Sequence, residues 1–375
     1  MSIVSTDVTE PLTPGGTLPS TYQHVVAQLP ALSQLIQTCM TRLDLTDEAL
    51  FSQLAQRLHQ FQCQSIGAMQ RLALLQAAAT GGPPPGWQGL MPMPMAAFHA
   101  YALEAETGPW SLAIPLRFDG AIEEGGKVRF SRAGLQLSDT ALVLQARRFL
   151  ALDPEERLPI LAFSRPPGPT RLNRLAYYLT RLEMFFGLGP TQYLGTSEGV
   201  FISAMLNALE NTSQSGKPII LALSREGIKQ VVGLLKHRGV RFQLPAGTRA
   251  LIVERSDKLC PLEGLESVMT AVQERLGLDP IHVVHVLDRP GLPGQLYTDG
   301  LLAKREKRRI RPGWHMPPWM RACALDPESL HPLPPGKAGL MLYVNLANVE
   351  RPVALLSDEL ARVHREGGLI DAGTP

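Results

Sequence analysis

Cysteine, aromatic side chains and net charge are all scarce in this chain. Its 375 residues include four cysteines, Cys39, Cys63, Cys260 and Cys323. Their spacing shows no pairing, which excludes a disulfide framework and suits a reducing, cytoplasmic setting. No Cys/His set has the spacing of zinc ligands. A formal charge of +2 is too small to gather nucleic acid through an overall field. No apolar run nears the ~20 residues a membrane-spanning helix needs; the longest, such as Pro218–Leu223, are far shorter. The polar, Pro/Gly-rich stretch Met1 to Pro19 has no apolar core, so no secretory signal is expected there. Residues 1–20 read as a disordered leader.

What is abundant points to a large, loop-rich α/β protein. Hydrophobic residues make up 45% of the chain, with 33 glycines and 32 prolines. That suffices for one large domain, or a large one with a small companion. No internal repeat is visible. From Thr46 to Thr80 the apolar spacing is helical, with Thr46 as N-cap and Asp47 and Glu48 in the first turn. Gly81-Gly82-Pro83-Pro84-Pro85 stops it. This helical region is a subdomain of its own or a hairpin on the main body. Met91-Pro92-Met93-Pro94-Met95 reads as a rigid loop whose thioethers fill the core.

From the middle onward, strands and helices alternate. Pro159–Ser164, Pro218–Leu223, Arg249–Glu254 and Ile281–Leu287 read as strands. Arg171–Phe186, Val200–Asn211, the segment capped by Ser224 and ended by Gly239, and Leu262–Leu276 read as helices. Such alternation predicts parallel strands with crossover helices on both faces, and ligands at the strands' carboxyl ends. Met320–Asp326 and Gly339–Asn345 alternate in polarity and predict a small β-rich lobe. The expected organisation is a leader at 1–20, helices at 21–85, an α/β core at 86–312, and a β-rich lobe and tail at 313–375.

The stretch Pro317-Pro318-Trp319-Met320-Arg321, the run Leu325-Asp326-Pro327-Glu328 through Gly339-Leu340, and Leu346-Ala347-Asn348 carry a family resemblance. So do Gly216-Lys217-Pro218, Arg238-Gly239 and Gly247-Thr248-Arg249. Together they resemble the acyl-protein synthetases that supply fatty acid to bacterial luciferase, and the related phenylacetate–CoA ligases. Both belong to the adenylate-forming superfamily. The resemblance implies an α/β fold like that superfamily's large N-terminal domain, with mostly parallel sheets flanked by helices and a small β-rich C-terminal lobe. Because the sequence stops soon after Glu359, the family's mobile lid is expected to be largely absent.

At three loops this sequence departs from the family. Where the family has a hydroxyl- and glycine-rich phosphate loop, this chain reads Phe118-Asp119-Gly120-Ala121-Ile122-Glu123-Glu124-Gly125-Gly126-Lys127. Glu123 and Glu124 would repel a polyphosphate. The family's Y-G-x-T-E segment is matched by Leu287-Asp288-Arg289-Pro290-Gly291, with Pro290 and Gly291 at the Thr and Glu positions. Its Gly-Gly turn is matched by a stretch containing Lys258. Asp358 or Glu359 corresponds to the acid that holds the ribose. These departures carry the expectation of no required cofactor, with ATP and magnesium not used and coenzyme A or a phosphopantetheine thioester as acyl donor. Gly195-Thr196-Ser197-Glu198-Gly199 looks like a phosphate loop but falls in a turn before a helix.

Two further constellations stand out. Cys260 could carry an acyl group as a thioester, with His285 at the end of the facing strand as its base. The alternative is that Cys260 is a small buried hydrophobe and His285 a hydrogen-bonded strand residue. Lys304, Arg305, Lys307, Arg308, Arg309 and Arg311 form a dense basic cluster, placed by register near the cleft mouth. It could hold the phosphate of coenzyme A or phosphopantetheine, or dock an acidic acyl carrier protein, or be a solvated loop. Three functions remain open. The chain moves an activated acyl group between thiols, or it is a non-catalytic scaffold for a biosynthetic partner, or it is an ATP-dependent acyl-protein ligase with substituted loops.

Overall fold

A computed structural model describes residues 27–42, 44–77, 86–97, 103–105, 110–115, 127–153, 155–167, 174–196, 199–255, 266–289, 292–364 and 368–371. Nine α-helices occur among them: α1 Leu29–Arg42, α2 Glu48–Ser65, α3 Gly67–Ala77, α4 Arg132–Leu150, α5 Arg174–Phe186, α6 Ile202–Ser215, α7 Arg225–His237, α8 Glu266–Leu276 and α9 Gly300–Arg305. The strands are β1 Met93–Pro94, β2 Leu112–Pro115, β3 Lys127–Phe130, β4 Ile160–Ala162, β5 Gln192–Tyr193, β6 Gly195–Thr196, β7 Gly199–Val200 and β8 Ile220–Ser224. They continue with β9 Arg249–Arg255, β10 Val283–Arg289, β11 Leu292–Tyr297, β12 Trp314–His315, β13 Met320–Leu325, β14 Gly339–Asn345, β15 Ala354–Val363 and β16 Gly368–Asp371.

One sheet of twelve strands organises the described residues, in the order β13-β14-β15-β16-β12-β11-β10-β9-β8-β4-β5, with β1 added alongside β15. Its two halves differ in kind. From β5 to β10 the pairs are parallel; from β10 to β13 they are antiparallel. The parallel half arises from the alternation read in the sequence, because each strand is followed by a helix that carries the chain back across a face.

Side-chain alternation then sorts the core into two layers. Ile160, Ala162, Ile220, Ala222, Leu251, Val253, Val284 and Val286 pack against α4, α5 and α9 on one face. Their neighbours Leu161, Leu221, Leu223, Ala250, Ile252 and Val283 pack against α6, α7 and α8 on the other. Each such side chain contributes about 1.5–3 kcal/mol by leaving water, so a strand buried on both faces is the most firmly held part of the sheet.

The β-rich end continues the same sheet, joined where Tyr297 of β11 pairs with His315 of β12. The N-terminal helices pack on this antiparallel half and share its core with Trp314, Trp319, Leu342 and Leu355. The cap of α2 is Asp47, whose carboxylate accepts from Ala49 N and Leu50 N, rather than Thr46. The helical run is broken at Ile66 into α2 and α3.

Gln62, fully buried on α2, ties these regions together. Its amide donates to Asn348 O at 2.6 Å and accepts from Val353 N at 2.7 Å. Next in that turn, the buried carboxylate of Glu350 accepts from Ser131 N at the start of α4. It sits where the helix presents unpaired N–H groups. It also lies so close to Gly134 that a Cβ there would fall 2.0 Å from Glu350 Oε2. No helix among the described residues is long and apolar enough to cross a membrane.

Candidate active site

The parallel strands end on an edge where α7 begins. Ser224 closes β8 and caps α7 by accepting from Gly227 N at 3.0 Å. Arg225 follows as the first helical residue and lies 3.3 Å from Glu254 Oε2, near the end of β9. In the parallel register His285 stands opposite Ile252, and Glu254 opposite Leu287. His285 and Glu254 therefore face the same side, and Glu254 Oε1 lies 3.0 Å from His285 Nδ1.

Both side chains are buried, His285 and Glu254 each at 1% exposure. A carboxylate oxygen accepts, so this contact calls for a proton on Nδ1. Nε2 is itself buried and has no hydrogen-bond partner among the described residues. His285 is the third residue of β10, so it does not end the strand as expected.

A second buried ion cluster lies across the junction with the antiparallel half. Arg289, at the end of β10, pairs with Glu359 of β15. It also donates to Tyr343 Oη at 3.0 Å and lies 3.5 Å from Ser357 Oγ. Tyr343 Oη in turn donates to Glu359 at 3.2 Å. Of the two acids put forward for ribose, Asp358 faces solvent and Glu359 lies in this cluster.

The basic cluster divides. Arg308 grips buried Asp299 with two nitrogens, and Arg311 N donates to the same carboxylate at 2.8 Å. Burial alone would raise the Asp299 carboxyl, but these donors more than offset it and hold it below the usual range. Arg305 donates to Ala151 O at the C-terminal end of α4, at 2.9 Å. Lys304, Lys307, Arg309 and Arg311 remain on the surface. The cluster is not at the cleft mouth. β11 runs antiparallel to β10 and returns the chain to the amino end of that strand, so α9 and the cations sit at the opposite edge from Arg225.

Gly120, Glu123, Glu124, Gly125, Gly126, Lys258, Cys260, Pro290 and Gly291 lie outside the described residues. Lys127 begins β3 and pairs with Pro115. The Gly195–Gly199 stretch spans the β6 and β7 strands ahead of α6, as the turn reading expects. Gly195 is required there, since a Cβ would meet Ser164 C at 2.4 Å. Among the other thiols, burial raises Cys323 to about 12. Cys63 contacts His59 Nδ1 at 3.6 Å, and burial raises its thiol too. No group of three or more His, Cys, Asp or Glu that could hold a metal ion occurs among the described residues. Arg225 and Glu254 carry no local motif; only the parallel pairing brings them to His285.

A large sheet flanked by helices, with its site at the carboxyl edge of the parallel half, is the fold of the adenylate-forming enzymes. The crystal structure of an open conformation of 2-hydroxyisobutyryl-CoA ligase in complex with 2-HIB-AMP and CoA superposes with a TM-score of 0.60 at 11% identity, covering 85% of this chain and 65% of that one. Residues 194–373, a little under half of the chain, match the family model "Acyl-protein synthetase, LuxE". Two long-chain-fatty-acid–luciferin-component ligases agree. That of Aliivibrio fischeri is 39% identical over 208 residues, 52% of this chain and 50% of the relative. That of Vibrio harveyi is 26% identical over 222 residues, 54% of this chain and 51% of the relative. The chain thus spans about half the length of the curated relatives it matches.

These relatives correct one expectation. An activity without ATP and magnesium was inferred from Glu123, Glu124, Pro290 and Gly291, yet the matched relatives are ligases, which points to ATP and magnesium use. The physical reason lies in the electrostatics. A phosphate loop binds largely through backbone N–H groups, and a divalent cation between a carboxylate and a phosphate reverses the sign of their interaction. Acidic side chains in such a loop therefore do not by themselves exclude a nucleotide.

Proposed function

We propose that this protein is a ligase of the acyl-protein synthetase kind, which activates a carboxylic acid with ATP and passes the acyl group to a thiol. The observation that carries the reading is the family match over residues 194–373, joined to a buried acid–imidazole pair near the carboxyl edge of the parallel strands. ATP as co-substrate supplies a good leaving group on the carboxylate. The chain's own residues contribute positive charge from Arg225 at that edge and a proton acceptor at His285 Nε2. Cys260 is the proposed thiol that takes the acyl group, and His285 its base.

The proposed acceptor is a carrier protein or coenzyme A. The surface cations Lys304, Lys307, Arg309 and Arg311 favour an acidic protein partner. They lie toward the amino end of β10, where Lys304 Nζ is 2.9 Å from His282 Nε2, three residues ahead of His285.

The test combines two measurements on the full chain. Acid-dependent exchange of pyrophosphate into ATP is followed with magnesium and a panel of short- to long-chain fatty acids. Intact mass is recorded after each incubation and after incubation with the matching acyl thioesters. The expected result is exchange with at least one chain length and an acyl adduct that disappears in Cys260→Ala. Absence of both exchange and adduct across the panel overturns the reading and leaves a binding role beside a partner protein.

A further inference from the structure

Glu254 and Arg225 are placed to do one thing to His285, which is to choose which ring nitrogen carries the proton. We propose that they are positioning residues that lock His285 as a neutral imidazole with its Nε2 lone pair available to a thiol or hydroxyl donor. This rests on the acyl-transfer reading for the identity of the donor, but the lock stands on geometry alone.

Four observations converge. Nδ1 lies 3.0 Å from a carboxylate oxygen, which can only accept. The second oxygen of that carboxylate lies 3.3 Å from the Arg225 guanidinium, which fixes its plane. Parallel pairing sets β9 and β10 side by side, so the acid cannot drift from the ring without breaking ladder bonds. Finally, Nε2 is buried and has no hydrogen-bond partner among the described residues. An unmet acceptor in a protein interior costs about 1–3 kcal/mol. A purely structural histidine would spend both nitrogens; this one spends only Nδ1.

In the transfer step, a thiol S–H approaches Nε2. Its proton moves to that nitrogen as the new S–C bond forms on the acyl carbon. The bond from that carbon to its leaving group breaks, and the leaving group (an adenylate phosphate, or a thiolate if the donor is a thioester) departs with the electron pair. Glu254 then faces an imidazolium and stabilises it, with Arg225 keeping the acid from taking the proton itself. Neither Glu254 nor Arg225 touches the reacting atoms.

The experiment uses full-length protein labelled with 15N in histidine. Ring-nitrogen shifts separate a protonated nitrogen from one bearing a lone pair, and His285→Asn identifies the signal by its loss. Near neutral pH the expected pattern is Nδ1 protonated and Nε2 unprotonated. In Glu254→Gln this preference is expected to blur into two tautomers, because an amide can offer either a donor or an acceptor. Arg225→Lys retains the charge and is expected to retain the lock, which guards against a variant that simply fails to fold. Acyl transfer is expected to slow about 10²–10⁴-fold in His285→Asn and measurably in Glu254→Gln.

An imidazolium in the resting protein, a lone pair on Nδ1, or an unchanged tautomer in Glu254→Gln would overturn the lock. So would a locked tautomer with transfer unaltered in His285→Asn. If the unmodified protein transfers no acyl group at all, the functional reading fails instead, and the ring shifts alone decide the lock.

Discussion

Two of the buried carboxylates on this one sheet, Glu359 and Glu254, have been treated in opposite ways. Glu359 lies in the antiparallel half, within hydrogen-bonding contacts that link Arg289, Tyr343 and Ser357 around it. Glu254 lies in the parallel half between Arg225 and His285, and the chain of contacts ends at a nitrogen with no partner among the described residues. A closed cluster holds strands in place and keeps their register. An open one holds a single atom ready. Both acids could pass for the same thing in the sequence, an acid within a strand; only their neighbours separate them.

The comparison breaks most readily at the closed cluster. Removing one partner of a buried ion pair strands the other, so Arg289→Met is expected to cost about 3–5 kcal/mol. Denaturant unfolding measures this, and a loss under 1 kcal/mol would mean the cluster is not holding the strands. The open cluster should behave differently. Replacing Arg225, Glu254 and His285 together by apolar residues of similar size removes every unmet group at once, with an expected stability within about 1 kcal/mol of the parent or above it. Acyl transfer should be lost in the same variant. A large loss of stability would instead assign this cluster a structural role.

Acid provides a milder probe. Burial is the main force that lowers His59, His282 and His315, aided at His282 by the Lys304 charge. Their folded values lie below the unfolded value of about 6.5. The unfolded chain therefore takes up protons first, and stability falls as pH drops through that window. A urea midpoint that moved upward between pH 7.5 and 5.5 would contradict this. The smallest expected effect lies at the start of α4. Ser131→Ala removes the cap to Gly134 N and should cost about 1 kcal/mol while leaving the His285 ring nitrogens as they were, checked by the same denaturation.

Much of the parallel half was readable in the chain. The strand expected at Pro218–Leu223 is found at Ile220–Ser224, and the Ser224 cap of α7 is in place. The strand at Gly339–Asn345 matches to the residue. Apolar runs buried on both faces announce themselves. Other elements escaped. α4 was not anticipated; it carries Gly134 near its start, and its anchor, Glu350, is 219 residues away from Ser131. β15 was not anticipated as a strand, because Asp358, Glu359 and Arg362 break its hydrophobicity, though one of these charges is buried against Arg289. The basic cluster was visible as a run of charge, but its position depended on β11 turning back, which no local signal reveals. The site was half visible: His285 could be picked out, but its partners stand 31 and 60 positions earlier.

The bond between Gln62 and the turn at Asn348 has a consequence for how the protein is made. The helix that needs this turn leaves the ribosome 286 residues ahead of it. Until Asn348 and Val353 emerge, the apolar stripe of Phe51, Leu54, Leu58 and Phe61 has no sheet to rest on. Contacts this distant in sequence form late and leave nascent chains prone to clumping. The first helices are therefore the part that chaperones must guard during synthesis, and trimming them away would bare the greasy side of the finished sheet.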